Sequence, residues 1–310
     1  MENKTRSYED DIDFKHIIRS LWKRKLLISI FTIFSSLASL FYALSLPDIY
    51  RSEVTLAPSQ NEISMPDLGG FASFAGIEFD SQRDSQKKEA LTVLRSLNFF
   101  ESILLPFIPL EDLMAVESWD SSSNKIIYDP DKYELESKTW VRKVGFPFET
   151  TPTAQEAHLF FNGNVFFIGE DRDTGFVTLS IEHQSPYFAK KLLENIVTSI
   201  NMFFRERDKD ANLESIKYLK KELRETQLSP IKDSISRLIS KEISFSVLIE
   251  VNDQYVFKIL NPPSVPEFKH KPRRSIICLI GFSIGLLLGF VSAFLLEFNF
   301  PNIRKTPQIN

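Results

Sequence analysis

The residue types that most often carry out chemistry are few in this sequence and widely spaced. None of its four histidines has the spacing of a metal site with another. Its single cysteine, Cys278, lies in an apolar run, where a thiol is inert. One G-x-S-x-G match occurs, at residues 281–285, but it lies inside an apolar run and not at a strand-to-helix turn, so it is no nucleophile elbow. No G-x-x-x-x-G-K-[ST] phosphate loop occurs. The sequence therefore predicts no catalytic residue, no metal site and no cofactor. The histidines are His16, His158, His183 and His270.

One acidic segment has part of the pattern of a calcium-binding loop. It contains Asp171-Arg172-Asp173, and Glu182 is twelfth in line. Gly175 stands fifth, whereas that loop requires glycine at the sixth position, and strands instead of helices are predicted on both sides. A hairpin turn is the preferred interpretation. A carboxylate pair for glycosidic chemistry stays open, because such carboxylates converge from distant parts of a chain.

Two apolar runs are each long enough to cross a membrane. Residues 26–46 form one run without a charge, and residues 275–296 form a second. About 20 helical residues span the roughly 30 Å hydrocarbon layer of a bilayer. A cleaved signal peptide is disfavoured for the first run, because signal peptides have apolar regions of only about 7–15 residues. Both runs are predicted to be transmembrane helices.

The distribution of basic residues predicts the orientation of the two spans. Positively charged segments stay in the cytoplasm, so residues 1–25 form a cytoplasmic basic leader and residues 297–310 a cytoplasmic tail. Four basic residues next to the second span, from Lys269 to Arg274, conflict with this rule. Long segments cross the membrane largely regardless of charge, so residues 47–274 are still predicted outside the cytoplasm. The leader residues are Lys4, Arg6, Lys15, Arg19, Lys23, Arg24 and Lys25.

The segment between the spans is acidic. It contains 28 Lys and Arg against 35 Asp and Glu, a formal charge of −7. A domain with this charge is a poor match to nucleic acid or to a general anionic lipid surface. Only the basic residues beside the second span are expected to contact lipid headgroups.

Periodicity in the outer segment predicts an α+β fold. Strands are expected at 50–56, 165–169, 176–182 and 255–260, with the middle two forming a hairpin. Helices are expected at 85–105 and 153–161, and short helices at 110–116 and 134–144. Residues 186–250 should form a long helical extension: one helix from Pro186 to about Leu228, a break at Pro230, and a second helix in which Ile235, Leu238 and Ile239 are buried. Over 40 helical residues reach about 60 Å, which predicts an elongated outer part.

Two further patterns suggest interaction surfaces. Small residues recur every four positions along both spans, so two ladders are predicted to pack on each other or on a neighbouring subunit. Residues 261–274 are too rich in proline for a helix and should form a stiff extended connector, either a spacer or a contact for a partner. The ladders are Ser35, Ser39 and Ala43 on the first span and Gly281, Gly285 and Gly289 on the second. The connector residues are Pro262, Pro263, Pro266, Pro272, Arg273 and Arg274.

These features occur in an order that resembles the Wzz, or polysaccharide co-polymerase, family over nearly the whole chain. A basic leader, a first span and an exit strand come first, and the long helix, the proline-rich connector and a glycine-rich second span come last. Between them lie a Gly-Gly-Phe-Ala-Ser-Phe-Ala-Gly stretch at 69–76, the segment Glu89–Ser96, the segment Asp173–Glu182, Ser185-Pro186 and Ile200-Asn201.

Membership of that family would imply an α/β base domain in the periplasm with a long projecting helix or helical hairpin. It would also imply a homo-oligomeric ring in the bacterial inner membrane. Such a ring sets, without catalysis, the modal length of O-antigen or a related polysaccharide made by a Wzy-type polymerase, and it would contact the nascent lipid-linked glycan. An alternative is a co-polymerase-like subunit for capsule or exopolysaccharide export. A cytoplasmic tyrosine kinase of the kind larger relatives carry is not expected, because the 14 residues after Leu296 contain no tyrosine.

Overall fold

The computed structural model describes Trp22, residues 24–59 and residues 79–299. Most of the basic leader, the Gly-rich stretch at 69–76 and the end of the C-terminal tail lie outside the described residues. The helices are α1 (Lys25–Ser45), α2 (Phe79–Leu94), α3 (Leu97–Phe99), α4 (Leu110–Met114), α5 (Ala154–Phe160), α6 (Pro186–Glu225), α7 (Ser229–Val251) and α8 (Arg274–Asn299). The strands are β1 (Tyr50–Pro58), β2 (Val116–Asp120), β3 (Lys125–Tyr128), β4 (Tyr133–Glu134), β5 (Thr139–Trp140), β6 (Phe166–Glu170), β7 (Val177–His183) and β8 (Phe257–Asn261).

The chain forms two compact units. One contains the apolar helices α1 and α8, and the other is the domain of residues Asp48–His270. The domain mixes helices and strands, which confirms the predicted α+β class. The predicted strands and the 165–182 hairpin are present, with ends that differ by one or two residues.

A four-stranded antiparallel sheet forms the base of the domain, in the order β6-β7-β1-β8. In β1 the side chains of Ser52, Val54 and Leu56 are buried, as the alternating pattern predicts. Helix α6 packs against β1 and β7. The core between helix and sheet therefore combines the buried face of β1 with the apolar stripe of α6. That stripe includes the buried residues Leu192, Ile196 and Ile200.

Helix α6 is the longest element of the domain. It begins at Ser185-Pro186: the Ser185 hydroxyl accepts a hydrogen bond from the Phe188 N–H at 3.3 Å, and proline fits the first turn because it has no N–H to satisfy. Its 40 residues extend for about 60 Å. The helix ends at Glu225, three residues earlier than predicted.

Helices α6 and α7 pack together as a helical hairpin. The connection is made by residues 226–228, and Pro230 lies in the first turn of α7. The predicted break between two helices is present, although α6 already ends at Glu225 and Pro230 helps to begin the next helix. The prediction that Ile235, Leu238 and Ile239 are buried was wrong: Leu238 is 48% exposed, and the other two are half-buried. Contacts with α6 cover only a narrow face of α7, and Leu238 lies beyond it.

The helix predicted at 85–105 is interrupted. Helix α2 ends at Leu94, and Ser96 takes an extended conformation and caps α3 by accepting a hydrogen bond from the Phe99 N–H at 3.2 Å. A π-helical turn (Phe100–Leu104) and a 3-10 turn (Leu105–Phe107) follow. A serine that can cap a new helix competes with continuation of the old one, which periodicity alone does not reveal.

The segment from 116 to 144 differs most from the prediction. No helix forms at 134–144; β4 and β5 form a small hairpin there instead. Lys138 has a positive φ of 53°, and the Ser137 hydroxyl donates to the Glu134 carboxylate at 2.5 Å, so local polar contacts favour a turn. The short helix at 110–116 ends at Met114, because Val116 begins β2, which pairs with β3. Neither β2 nor β3 was predicted.

Asn201 joins the long helix to the last strand of the sheet. Its side-chain amide donates to the Val197 and Phe257 carbonyls, each at 3.1 Å. Its side-chain oxygen accepts from the N–H groups of Val256 at 2.8 Å and Phe257 at 2.9 Å. Because Asn201 is buried, water does not reach these backbone groups, and they depend on its side chain for their hydrogen bonds.

His183, at the end of β7, is buried in its neutral form. Its Nδ1 accepts a hydrogen bond from the Ser185 N–H at 3.0 Å, so the proton is on Nε2, which donates to the Asp112 carbonyl at 2.7 Å. Burial lowers the pKa of His183 to about 4, since a charged imidazolium is disfavoured away from water. The two hydrogen bonds only partly oppose that effect.

We predict that Asn201→Ala lowers the free energy of unfolding by about 2–4 kcal/mol, because it leaves buried N–H and C=O groups of β8 without partners. Denaturant unfolding of the full chain in detergent micelles measures this. Asn98→Ala, at an exposed position, is the matched control and should change stability by less than about 0.5 kcal/mol. Equal free energies of unfolding for the two variants would contradict this role of Asn201.

We predict that His183 makes the domain less stable in acid. Between pH 6.5 and about 4 the unfolded chain binds a proton at this position that the folded protein excludes, so the free energy of unfolding falls as the pH is lowered. The loss from this group reaches about 3 kcal/mol near pH 4. When the free energy of unfolding is measured at a series of pH values and plotted against pH, the slope should be shallower for His183→Gln than for the wild type. A slope for His183→Gln equal to that of the wild type would refute the assignment.

Candidate functional site

Helices α1 and α8 are the two described helices long and apolar enough to cross a membrane. Many of their large apolar side chains are exposed, including Phe34 at 74% and Leu279 at 64%. Exposure on this scale is unfavourable in water and natural in lipid. The bent pair formed by Ser85–Leu94 and Leu97–Phe107, with a 63° angle, is also apolar, but its residues Leu94 and Phe99 are buried in the domain core. The two-helix unit therefore fits a two-pass membrane protein.

The predicted small residues lie where α1 and α8 are in contact. Gly281 faces Ser39, and Gly285 faces Ser35 and Thr32. A methyl group added at Gly285 would come within 2.7 Å of the Ser35 Cβ and 2.9 Å of the Thr32 Cα. These contacts leave no room for a side chain, so the backbones approach as closely as glycine permits.

The far end of this contact differs from the predicted pairing. Gly289 faces Ile28, and a Cβ at Gly289 would lie 2.9 Å from the Ile28 Cα. Ala43 is buried but meets none of the three glycines. The antiparallel arrangement places Ile28 and Thr32 beside the glycine ladder. The four-residue spacing of Ser35, Ser39 and Ala43 did not identify either residue, because the contact face continues from Ser35 to Thr32 in a step of three residues and from there to Ile28.

Polar contacts add to the packing of the helix pair. The Ser35 hydroxyl donates to the Gly281 carbonyl at 2.7 Å, which joins the two helices directly. At one end the Arg274 Nε donates to the Ala43 carbonyl at 3.1 Å, and at the other Arg24 donates to the Leu296 carbonyl at 3.1 Å. Each arginine therefore satisfies a carbonyl in the last turn of the partner helix, where an intrahelical donor is lacking.

The proline-rich connector is free of helix from 262 to 273; Asn261 ends β8 and Arg274 begins α8. Within the domain, it lies along the first half of β1: the Ser52 hydroxyl donates to the Ser264 carbonyl at 2.8 Å, and the His270 N–H donates to the Ile49 carbonyl at 2.8 Å. Strand β8 pairs with the second half of β1, from Thr55 to Pro58. The connector and β8 together cover the edge of β1 that would otherwise be open.

The individual connector residues differ in their surroundings. Pro263 is buried, Pro266 is half-buried and Pro262 is exposed. Arg273 is exposed and Pro272 half-buried in the two-helix unit, beside Arg274. Their roles in contacting a partner or lipid headgroups stay predictions.

A buried carboxylate lies where the connector meets the sheet. The Glu182 side chain is only 3% exposed, and its Oε1 is 3.1 Å from the Arg51 Nε on the paired position of β1. The His270 Nε2 on the connector is 3.4 Å from the same oxygen. A buried carboxylate is stable only with charged or hydrogen-bonding partners, so Glu182 ties the connector to two strands. Sequence analysis missed this cluster, because its members are far apart in the chain.

The acidic segment that has part of a calcium-loop pattern forms the turn between β6 and β7. Among residues 24–59 and 79–299, no three His, Cys, Asp or Glu side chains are grouped so that they could hold a metal ion. The Asp171 carboxylate accepts a hydrogen bond from the Asp173 N–H at 2.9 Å inside the β6–β7 turn. This backbone contact lowers the pKa of Asp171, because it stabilises the ionised form.

We predict that Gly285→Leu weakens the α1–α8 contact, because a leucine cannot fit against the backbone of Thr32 without separating the helices. Overpacking of this kind costs about 1–3 kcal/mol. Thermal unfolding in detergent should show a lower midpoint for Gly285→Leu. Ser283→Leu adds the same side chain at an exposed position of α8 and should unfold like the wild type. A midpoint for Gly285→Leu equal to that of Ser283→Leu would contradict the prediction.

Comparisons with known proteins give one family match and similar solved structures. Residues 10–104 match the family model described as Wzz, chain length determinant protein. A solved "full-length bacterial polysaccharide co-polymerase" is similar over 96% of this chain and 100% of that one, at 11% identity and a TM-score of 0.46. A "fragment of WzzB, polysaccharide co-polymerase from Salmonella Typhimurium" is similar over 73% of this chain and 100% of that one, at 11% identity and a TM-score of 0.30.

No curated protein matches the sequence. The family model covers α1, β1 and the helices and turns that end at Leu104. In residues 10–104 the chain carries the pattern of the Wzz chain length determinant family, the family that the order of its elements resembles.

Proposed function

We propose that this protein is a non-catalytic regulator of the modal chain length of O-antigen lipopolysaccharide or a related surface polysaccharide. The match of residues 10–104 to the chain length determinant family carries the proposal. The two apolar helices at either end of an acidic domain support it. In this role the helices hold the domain in the periplasm, both termini lie in the cytoplasm, and the protein acts in the inner membrane.

The protein acts as a homo-oligomer together with a Wzy-type polymerase, and it contacts the growing lipid-linked glycan. Exposed apolar side chains on the helical hairpin support association with further protein, because a partner that covers them removes apolar surface from water. They include Leu213 on α6 and Val247 and Val251 on α7, with exposed fractions from 51% to 78%. The glycine-rich face of α8 is used within the subunit, so subunit contacts are assigned to the domain.

Deleting the gene should leave surface polysaccharide in place and remove its preferred length. Gel electrophoresis of the glycan measures the distribution, which should change from one modal cluster to a broad ladder. Reintroducing the wild-type gene or Ser283→Leu should restore the cluster, because neither changes the helix contact. Gly285→Leu should restore it only in part.

The same deletion also distinguishes length control from the alternative, a role in polysaccharide export. A component of capsule or exopolysaccharide export would be needed for polymer to reach the surface, so polymer would vanish while precursor accumulated. That outcome would refute length control. Genes for an outer-membrane channel and a separate kinase next to this one would favour export as well.

A further inference from the structure

The segment between α4 and α5 forms a small module that the proposed function does not use. It contains the hairpin β2–β3 and the hairpin β4–β5. Between the two hairpins lies a cleft of about 460 Å³, which is within the range of small-molecule sites, about 300–1,000 Å³. The cleft is lined by apolar side chains and by a few polar groups, as ligand sites usually are.

Tyr133 forms the floor of this cleft. It is 6% exposed, with ring centroids of Tyr128 and Trp140 each 5.4 Å from its own, so its ring is held on both sides. Its hydroxyl has no hydrogen-bond partner among the residues that the structure describes, although it lines the cleft. The hydroxyl oxygen is not among the buried side-chain atoms that lack a partner, so it reaches solvent at the cleft. A ligand with a hydroxyl or carbonyl group can therefore replace water as its hydrogen-bond partner.

Tyr128 makes the cleft rigid. Its hydroxyl donates to the Asp112 carboxylate at 2.5 Å, which fixes the β3 side of the cleft to α4. Burial, with the adjacent Asp112 carboxylate, raises the pKa of Tyr128, so this phenol stays neutral. At the other end of the hairpin, the Trp119 ring packs edge-on against Tyr50 of β1 with centroids 5.6 Å apart. The module is therefore connected to the central sheet and prearranged for binding.

The charge of the lining restricts the ligand. Asp120, Glu134 and Glu136 face the cleft against a single cation, Lys125. The Asp120 carboxylate accepts hydrogen bonds from Ser122 and Ser123, which lower its pKa to about 2, so it is ionised at neutral pH. Acidic sugars and phosphates are repelled by such a lining. Carboxylates are good acceptors for the hydroxyl groups of neutral sugars.

The apolar lining matches the other part of a sugar. Ile127 and Leu135 are 46% and 62% exposed at the cleft, and they offer surface to the C–H face of a pyranose ring. Acceptors for hydroxyl groups and a surface for C–H groups therefore occur in one site. A purely apolar ligand would cover these carboxylates without giving them any new hydrogen bond.

We infer that the cleft between the β2–β3 and β4–β5 hairpins binds a segment of uncharged glycan, with the Tyr133 hydroxyl as a hydrogen-bonding group at its floor. The inference rests on the proposed function for the identity of the glycan, the surface polysaccharide itself. It assigns the place on the domain at which that polymer is held. A neighbouring cleft lined by Lys132 and Lys143 is basic and is not part of this site.

Binding can be measured with the full-length protein in detergent and the polysaccharide released by mild acid from the bacterium that carries the gene. Trp140 contacts Tyr133, so its fluorescence should change on binding. Tyr133→Phe keeps the ring and removes the hydroxyl; it should weaken binding about five- to tenfold, the effect of one neutral hydrogen bond. Tyr218→Phe, on the exposed face of α6, is the matched control and should bind like the wild type.

The two proposals fail in different ways. In one outcome, deletion of the gene broadens the glycan ladder, but the wild type and Tyr133→Phe bind the polysaccharide equally or neither binds it. The assignment of the cleft as a glycan site is then wrong, and length control stands. If Tyr133→Phe weakens binding while deletion leaves the ladder unchanged, the cleft stands and length control is wrong. Tyr133→Phe that weakens binding and also shifts the modal length supports both. Binding of trigalacturonic acid with an affinity equal to that of the neutral polysaccharide would overturn the assigned ligand class.

Discussion

Close contact between the backbones of α1 and α8 is the interaction on which the rest of this architecture depends. Lipid chains are as apolar as leucine, so two helices gain little by burying apolar side chains against each other in a membrane. They gain by van der Waals contact and by polar groups that water cannot satisfy. Gly285 against Ser35 and Thr32, and the Ser35 hydroxyl on the Gly281 carbonyl, supply both. The arginines at the two ends then satisfy carbonyls that the helices leave open.

The domain is organised around β1, the strand that follows the first apolar helix in the chain. Strand β7 covers one edge of β1, and β8 and the proline-rich connector cover the other. The segments that enter and leave the domain are thus held side by side, with Glu182 between Arg51 and His270 as a shared charged contact. Asn201 fixes the long helix to β8 in the same region. These contacts join the two connecting segments, the sheet and the long helix into one scaffold.

Sequence reasoning succeeded where a local physical rule decides the structure. Long charge-free runs must be helical in lipid, alternation places Val54 and Leu56 inside a sheet, and Ser185-Pro186 begins a helix. It failed where tertiary or side-chain contacts compete with periodicity, as at the Ser96 cap and in the β4–β5 hairpin. The candidate glycan cleft was missed for this reason: residues 134–144 were assigned to a helix, which would have separated Tyr133 from Trp140. The glycine ladder was visible, but its partner Ile28 was not, since pairing register is a property of two helices.

Membrane topology is the most direct test, because each functional assignment requires the domain to lie outside the cytoplasm. A single cysteine at the exposed position 236 of α7, in a chain with Cys278→Ser, can be exposed to a membrane-impermeant maleimide in intact spheroplasts. Ser236→Cys should be labelled without lysis, whereas Ser7→Cys in the basic leader should be labelled only after lysis. Labelling of Ser7→Cys in intact spheroplasts, with Ser236→Cys labelled only after lysis, would place the domain in the cytoplasm and contradict the account.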